Sequence, residues 1–308
     1  DDTCLFIEVG DPELAAQYVN QDLDNIQTWA DKWLVTFSPP KTKSLLISTK
    51  TNRQRHPPLF LGGQTIENVA SHKHLGVTIT HDLSWNKHIN DITKKAGRRL
   101  DILKPLKMKV DRRSLERLYF SYIRPTMEYG SVVWDIPKEN DHTLDPLEKV
   151  QINAARLVSG GTARCNRAKL YEELGWVPLS QRRKNQRLFL YFNILNGSAP
   201  QYLSDLLPDL VRDRTPYPLR NRDEIDESFC RVDCYKYSFF LSTSGDWNDL
   251  CLQSKSLRTI NVFKQCLKRS DPKANLLYYF GDRESTVHHC RLRLGCSMLN
   301  LDLCNNLY

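Results

Sequence analysis

Apolar residues recur at three- and four-residue steps from Ala15 through Tyr18, Val19, Leu23, Ile26, Trp29 and Ala30 to Trp33. That spacing is one face of a long amphipathic α-helix pressed against a sheet. Asp11-Pro12-Glu13 precedes it, with a capping side chain, a proline at the first helical position and an acid in the first turn. Pro39-Pro40 forbids continuation. Residues 3–9 and 44–48 read as strands on either side, so the chain is expected to open as strand–helix–strand. Residues 59–66 resemble two short strands around Gly62-Gly63, and residues 74–80 read as one further strand closed by a turn at Asp82 and Ser84.

The texture then changes to helix. Residues 86–124 are helical in pattern and strongly basic, with Leu115, Leu118, Tyr119, Tyr122 and Ile123 on one face and Arg112, Arg113 and Arg117 elsewhere. Pro125 is expected to kink or end this stretch. Residues 144–158 and 188–195 are further amphipathic helices, and Ser159-Gly160-Gly161 marks a boundary between them. Beyond Pro200 the pattern weakens to a Pro- and Arg-rich connector at 215–222, a short apolar piece at 237–241 and a helix over 256–267. Trp29, Trp33, Trp134 and Trp176 fall on apolar faces and are expected in the core.

With 308 residues, 40% of them hydrophobic and 26% charged, the chain can bury sizeable cores in one to three domains. A mean hydropathy of −0.51 and the lack of a long apolar run leave no candidate transmembrane span. The formal charge is +8, and its placement says more than its size. Between residues 94 and 124 eleven cations (Lys94, Lys95, Arg98, Arg99, Lys104, Lys107, Lys109, Arg112, Arg113, Arg117 and Arg124) face three acids, an excess equal to that of the whole chain. A helical stretch of this kind is either a solvated surface or a phosphate-binding one, and the concentration of the entire excess favours a polyanionic partner.

Nine scattered cysteines with no export signal read as reduced, mostly buried thiols of an intracellular protein. His288-His289-Cys290 with Cys296 and Cys304 is a denser set whose spacing does not settle whether it binds zinc. Asp1-Asp2 suits either a solvated end or two carboxylates for a hard divalent cation.

The order of several of these residues closely resembles one family. Asp1-Asp2-Thr3-Cys4-Leu5, the helix ending Asn25-Ile26-Gln27-Thr28-Trp29-Ala30-Asp31-Lys32-Trp33, the run from Phe37 to Ile47 and His74-Leu75-Gly76-Val77 resemble the reverse transcriptases of non-LTR (LINE-like) retrotransposons, beginning inside their Tyr/Phe-Ala-Asp-Asp box. The stretches 124–134 and 147–158, Leu174-Gly175-Trp176 with Arg182-Arg183, and 291–295 resemble the same class more loosely. The resemblance implies an α+β remnant of a polymerase palm over 1–92, a basic helical thumb over 93–160 and a mostly helical region of unknown role over 161–308.

It also implies roles. Asp1 and Asp2 would hold Mg2+, and Lys41 would protonate the leaving pyrophosphate. Ser38 stands where the family usually has Asn. Leu75, Gly76 and Val77 would grip the primer terminus, Gly76 allowing close backbone approach. Lys94, Lys95, Arg98, Arg99, Lys107, Lys109, Arg112, Arg113 and Arg117 would hold the template–primer duplex.

Together these readings describe the C-terminal portion of an RNA-directed DNA polymerase, located in nucleus or cytoplasm rather than secreted, with RNA template, DNA primer and nucleotides as partners. Half a carboxylate cage binds magnesium poorly, so these residues alone are not expected to polymerise. A non-catalytic nucleic-acid-binding remnant and a helical interaction scaffold are the alternatives.

Overall fold

The computed structural model describes residues 3–8, 10–48, 56–137, 142–214, 217, 221–227, 230–268, 272–274 and 282–296. The chain divides into two compact units, residues 1–88 and 89–308.

In the first unit α1 (Pro12–Trp33) starts where the sequence places it, with the Asp11 carboxylate accepting from the Glu13 N–H at 2.9 Å. It stops at Leu34, which adopts a left-handed conformation. Around it lie β1 (Lys43–Ser44), β2 (Phe60–Leu61), β3 (Gln64–Thr65), β4 (Glu67–Asn68), β5 (Ser71–His74) and β6 (Val77–Thr80). They form three separate pairs: β1 with β4 in parallel, β2 with β3 and β5 with β6 antiparallel.

Leu23, Leu61 and Ile66 make the small core, with Val19, Phe37 and Leu59 against it. Asn20 anchors the helix to the β2 hairpin, accepting from the Phe60 N–H at 2.9 Å and donating to the Pro58 carbonyl. Three expectations fail here. Residues 3–8 are irregular rather than a strand, the strand expected over 44–48 is confined to Lys43–Ser44, and Trp29 and Trp33 are 52% and 62% exposed. The buried stripe of α1 runs through Ala15, Ala16, Leu23 and Ala30, which leaves both indoles on its flank.

The second unit is helical: α2 (Asn86–Leu103, entered from the first unit), α3 (Arg112–Leu118), α4 (Arg124–Glu128), α5 (Ser131–Trp134), α6 (Asp145–Ser159), α7 (Arg167–Leu174) and α8 (Leu179–Leu195). The short turns α9 (Gln201–Ser204), α10 (Val211–Arg214) and α11 (Asp233–Lys236) lead to α12 (Phe239–Asn248), α13 (Leu252–Lys255), α14 (Ile260–Lys268) and α15 (Arg283–Arg293). No helix among the described residues is long and apolar enough to cross a membrane.

The helix α8 is the spine, starting nine residues before its expected apolar stretch. Its first turns pack on α5 and α6, and its last turns lie on α12 and α14 through Leu188, Tyr191, Phe192, Trp247 and Phe263. Phe192 stacks on Phe263 at 4.6 Å between centroids. Trp134 and Trp176 are buried as expected.

Helix α6 ends at Gly160, whose φ of +80° continues no helix. Helix α15 lies against this end. Val287 packs on Gly160, Arg291 Nε donates to the Gly160 carbonyl at 2.9 Å, and Arg283 Nη2 donates to the Leu157 carbonyl at 2.9 Å. Two cations on terminal carbonyls satisfy groups the helix itself leaves open.

The cysteine expectation needs correcting. Cys165 and Cys296 are joined as a disulfide, with Cα atoms 5.6 Å apart. Among the other described cysteines only Cys290 is buried, while Cys4, Cys234 and Cys251 are exposed.

Gly160→Ala is expected to destabilise the second unit, because an added Cβ would sit 2.4 Å from Val287 Cγ2 in a backbone conformation that side chains disfavour. Gly197→Ala shares the positive φ but meets nothing within 4 Å. In urea unfolding Gly197→Ala should cost about 1 kcal/mol and Gly160→Ala about 1–3 kcal/mol more.

Candidate nucleic-acid interface

Helix α2 buries Ile89, Ala96, Leu100 and Leu103 along one face. The three- and four-residue steps of the opposite face bring Lys94, Lys95 and Arg98 together, all exposed. Asp91, one turn earlier, is exposed on the same side, and Asp101, one turn later, is occupied by Lys104 at 2.6 Å. Three cations against one neighbouring acid leave this face with a net positive charge.

Helix α3 begins at Asp111, whose carboxylate accepts from the Ser114 N–H at 3.0 Å. Hydrogen bonds from Ser114, by hydroxyl and by backbone, hold the Asp111 pKa below its ordinary value. Leu115 and Glu116 turn inward, and Arg113 and Arg117, four residues apart, point to solvent. Lys109 is also exposed.

Three of the cations grouped with these by sequence do other work. Arg112 is 2% exposed. Its Nη2 donates to the Glu173 carbonyl at 2.8 Å and its Nη1 lies 3.2 Å from Glu173 Oε1, so it ties α3 to α7 and does not face a ligand. A guanidinium withdrawn from water needs such a carboxylate.

Arg99 sits on the flank of α2, donating to the Tyr122 carbonyl at 2.6 Å and to Thr126 Oγ1, with its guanidinium 4.4 Å from the Tyr122 ring centre. Lys107 is half-buried, and burial, then Arg291 and Arg283 nearby, lower its pKa.

The scaffold behind these faces is a π-helical turn at Tyr119–Ile123, joining α3 to α4 and carrying the chain past Pro125. Tyr119 stacks on Trp176 at 4.4 Å and donates to Gln151 Oε1 at 2.6 Å. Gln151 donates in turn to the Val177 carbonyl, and Trp176 Nε1 donates to Glu116 Oε1 at 2.7 Å. Burial raises the Tyr119 hydroxyl well above its ordinary pKa, so it remains a donor. Arg124 lies 4.1 Å over the Phe120 ring, a pairing that sequence reasoning missed although four-residue spacing in a helix signals it.

In the first unit Leu75 and Gly76 form the two-residue turn of the β5–β6 hairpin, with φ of 45° and 86°. Positive φ at both positions is the turn geometry that matches strand twist. Residues 74–80 are therefore a hairpin end, not one strand. Leu75 is 63% exposed at the tip, while Val77 is buried and presents no side chain to a ligand.

Lys41 is exposed at the end of a 3₁₀ turn, Pro39–Lys41, with its N–H donating to the Ser38 carbonyl at 3.0 Å. Asp1 and Asp2 lie outside the described residues, as does Cys304. Among the described residues no group of three or more His, Cys, Asp or Glu is placed to hold a metal ion.

The chain is similar to RNA-directed DNA polymerases of mobile elements. It is 23% identical over 162 residues to a probable RNA-directed DNA polymerase from transposon BS and 25% identical over 164 residues to the RNA-directed DNA polymerase from mobile element jockey, both of Drosophila melanogaster. A probable RNA-directed DNA polymerase from transposon X-element of the same fly is 22% identical over 165 residues. Each match takes in 52% of this chain but only 17–18% of the relative, so the shared stretch is less than a fifth of their length. No family model and no solved structure matches the chain.

Arg112 and its neighbours should separate sharply in stability measurements. Arg112→Ala leaves the buried Glu173 carboxylate with only the more exposed Arg293 guanidinium, 3.4 Å away, and is expected to cost about 2–3 kcal/mol in denaturant unfolding. Arg113→Ala and Arg117→Ala, at exposed positions, should stay within about 0.5 kcal/mol.

Proposed function

We propose that this chain is a nucleic-acid-holding segment of a retrotransposon reverse transcriptase, with residues 1–92 belonging to its palm and the basic helices to its thumb. The observation that carries this reading is the exposed trio Lys94, Lys95 and Arg98 on one face of α2. Phosphates of a template–primer duplex are spaced regularly along a groove edge, and ammonium and guanidinium groups one helical turn apart can neutralise consecutive ones. Arg113, Arg117 and Lys109 extend the cationic surface of the same unit. Such contacts carry no base information, which suits an enzyme that must copy any sequence.

The palm assignment rests on the resemblance and on the polymerase relatives. In this reading the Leu75–Gly76 turn meets the primer backbone, because a two-residue turn with no Cβ at its second position allows close approach. Val77 supports that turn from the core rather than touching the primer. Lys41 supplies the ammonium that protonates the leaving pyrophosphate. Asp1 and Asp2 would hold Mg2+, which when bound neutralises phosphate charge and polarises the attacked phosphorus.

The test is salt-dependent binding of the full chain to an RNA–DNA hybrid. Replacing Lys94, Lys95 and Arg98 together by Gln should weaken binding and lower the slope of log K against log salt by about 2–3. Leu75→Ala should leave that slope unchanged. An unaltered slope in the triple variant would remove α2 from the interface and with it the basis of the proposal.

A further inference from the structure

A cleft of about 390 Å³ opens where the end of α5, the start of α6 and the first turns of α8 converge. Its size is that of a small-molecule site, and its floor is an ion network. Asp135 accepts from Arg183 Nε at 2.7 Å and pairs with Arg187 Nη1, while Asp246 of α12 lies 2.7 Å from both Arg187 Nη2 and Lys184 Nζ. Arg183 and Arg187 are 3% and 2% exposed.

The charged groups of the cleft are not equally satisfied. Both oxygens of Glu148 are engaged, one by the Tyr171 hydroxyl at 2.6 Å and one by the Leu179 N–H at 3.0 Å, and Asp145 is held by His142 at 2.8 Å. Among the described residues of the cleft the buried groups left without a partner are donors: Arg183 Nη1 and Arg187 Nε. Over the whole lining Arg167, Arg183, Lys184 and Arg187 balance Asp135, Asp145, Glu148 and Asp246 in charge, so the unpartnered donors, not a net charge, set the ligand class. Burial alone, against Glu148 and Glu128, pushes Arg183 down to about 10, so it stays protonated at neutral pH while lacking an acceptor at Nη1. Buried guanidinium N–H groups without acceptors are costly, and an oxyanion with several lone pairs is the ligand class that relieves them.

We propose that this cleft binds a phosphate group of a nucleotide, with Arg183, Lys184 and Arg187 at the phosphate end. Ile136, Pro137 and Leu144 form an apolar lip against which the sugar and base lie. The site is separate from the cationic faces of α2 and α3 and does not depend on the role proposed for them. The phosphate can come from a free ion, a strand terminus or an internal phosphodiester.

Calorimetric titration of the full chain with inorganic phosphate, a 5′-phosphorylated RNA tetranucleotide and its 5′-hydroxyl counterpart separates these sources. At least one probe should bind, losing about tenfold in Arg183→Lys, where the fork is replaced by a point charge, and about threefold in Lys184→Gln. The probe losing most identifies the source. Binding of any number of probes that ignores both substitutions, or no binding at all, overturns the proposal. Should Arg183→Lys fail to fold by circular dichroism, Lys184→Gln carries the test, since its side chain is 35% exposed. A loss of hybrid-duplex affinity confined to the Lys94/Lys95/Arg98 variant bears on the interface of α2 and leaves this site standing.

Discussion

Charge that leaves water has to be answered, and in this protein the answer is what joins the helices. Arg183 and Arg187 enter the interior on α8 and are met by Asp135 at the end of α5 and Asp246 on α12. Arg112 of α3 is met by Glu173 of α7, and Arg182 of α8 by Glu128 of α4. Each pair links elements far apart in sequence. Asp135 answers both Arg183 and Arg187, and Glu173 both Arg112 and Arg293, so the network as a whole constrains which helices can be neighbours.

Polar hydrogen bonds inside the same unit sharpen that choice. Glu148 of α6 takes the Tyr171 hydroxyl with one oxygen and the first N–H of α8 with the other, fixing three helices through one carboxylate. Gln151, one turn along, bridges Tyr119 to the Val177 carbonyl. Apolar packing of Leu147, Ala154, Leu170 and Leu179 supplies the non-directional attraction. The directional groups decide which of several apolar arrangements is adopted.

The consequence for function is a division among the arginines and lysines. Arg112, on an inward face, holds the scaffold, Arg183 and Arg187 pair inside while each keeps one N–H without an acceptor, and Lys94, Lys95, Arg98, Arg113 and Arg117 stay exposed on outward faces. Arg99 and Arg124 fall between, their guanidinium planes over Tyr122 and Phe120. A cationic composition alone therefore overstates the binding surface, because some of its charge is spent inside.

What the sequence alone determined is local. The start of α1 at Asp11-Pro12, the Gly62-Gly63 hairpin, the C-terminal end of α6 and the apolar face of α3 follow from capping chemistry, glycine conformational freedom and helical spacing, which act over a few residues. The excess of positive charge over 94–124 was equally plain. Tertiary structure decided the rest. Residues 179–187 look solvated by composition, yet they begin α8 and lie partly inside, because their charges find carboxylates 48 and 59 residues away. Trp29 and Trp33 keep helical spacing but stay outside, since the short strands of their unit cover only one stripe of α1. Leu75 lacks the side chain that usually announces a tight turn, and only pairing of His74 with Val77 reveals it. Spacing states which residues share a face; what covers that face, and which charges meet across it, depends on partners too distant in the chain for any local pattern to encode.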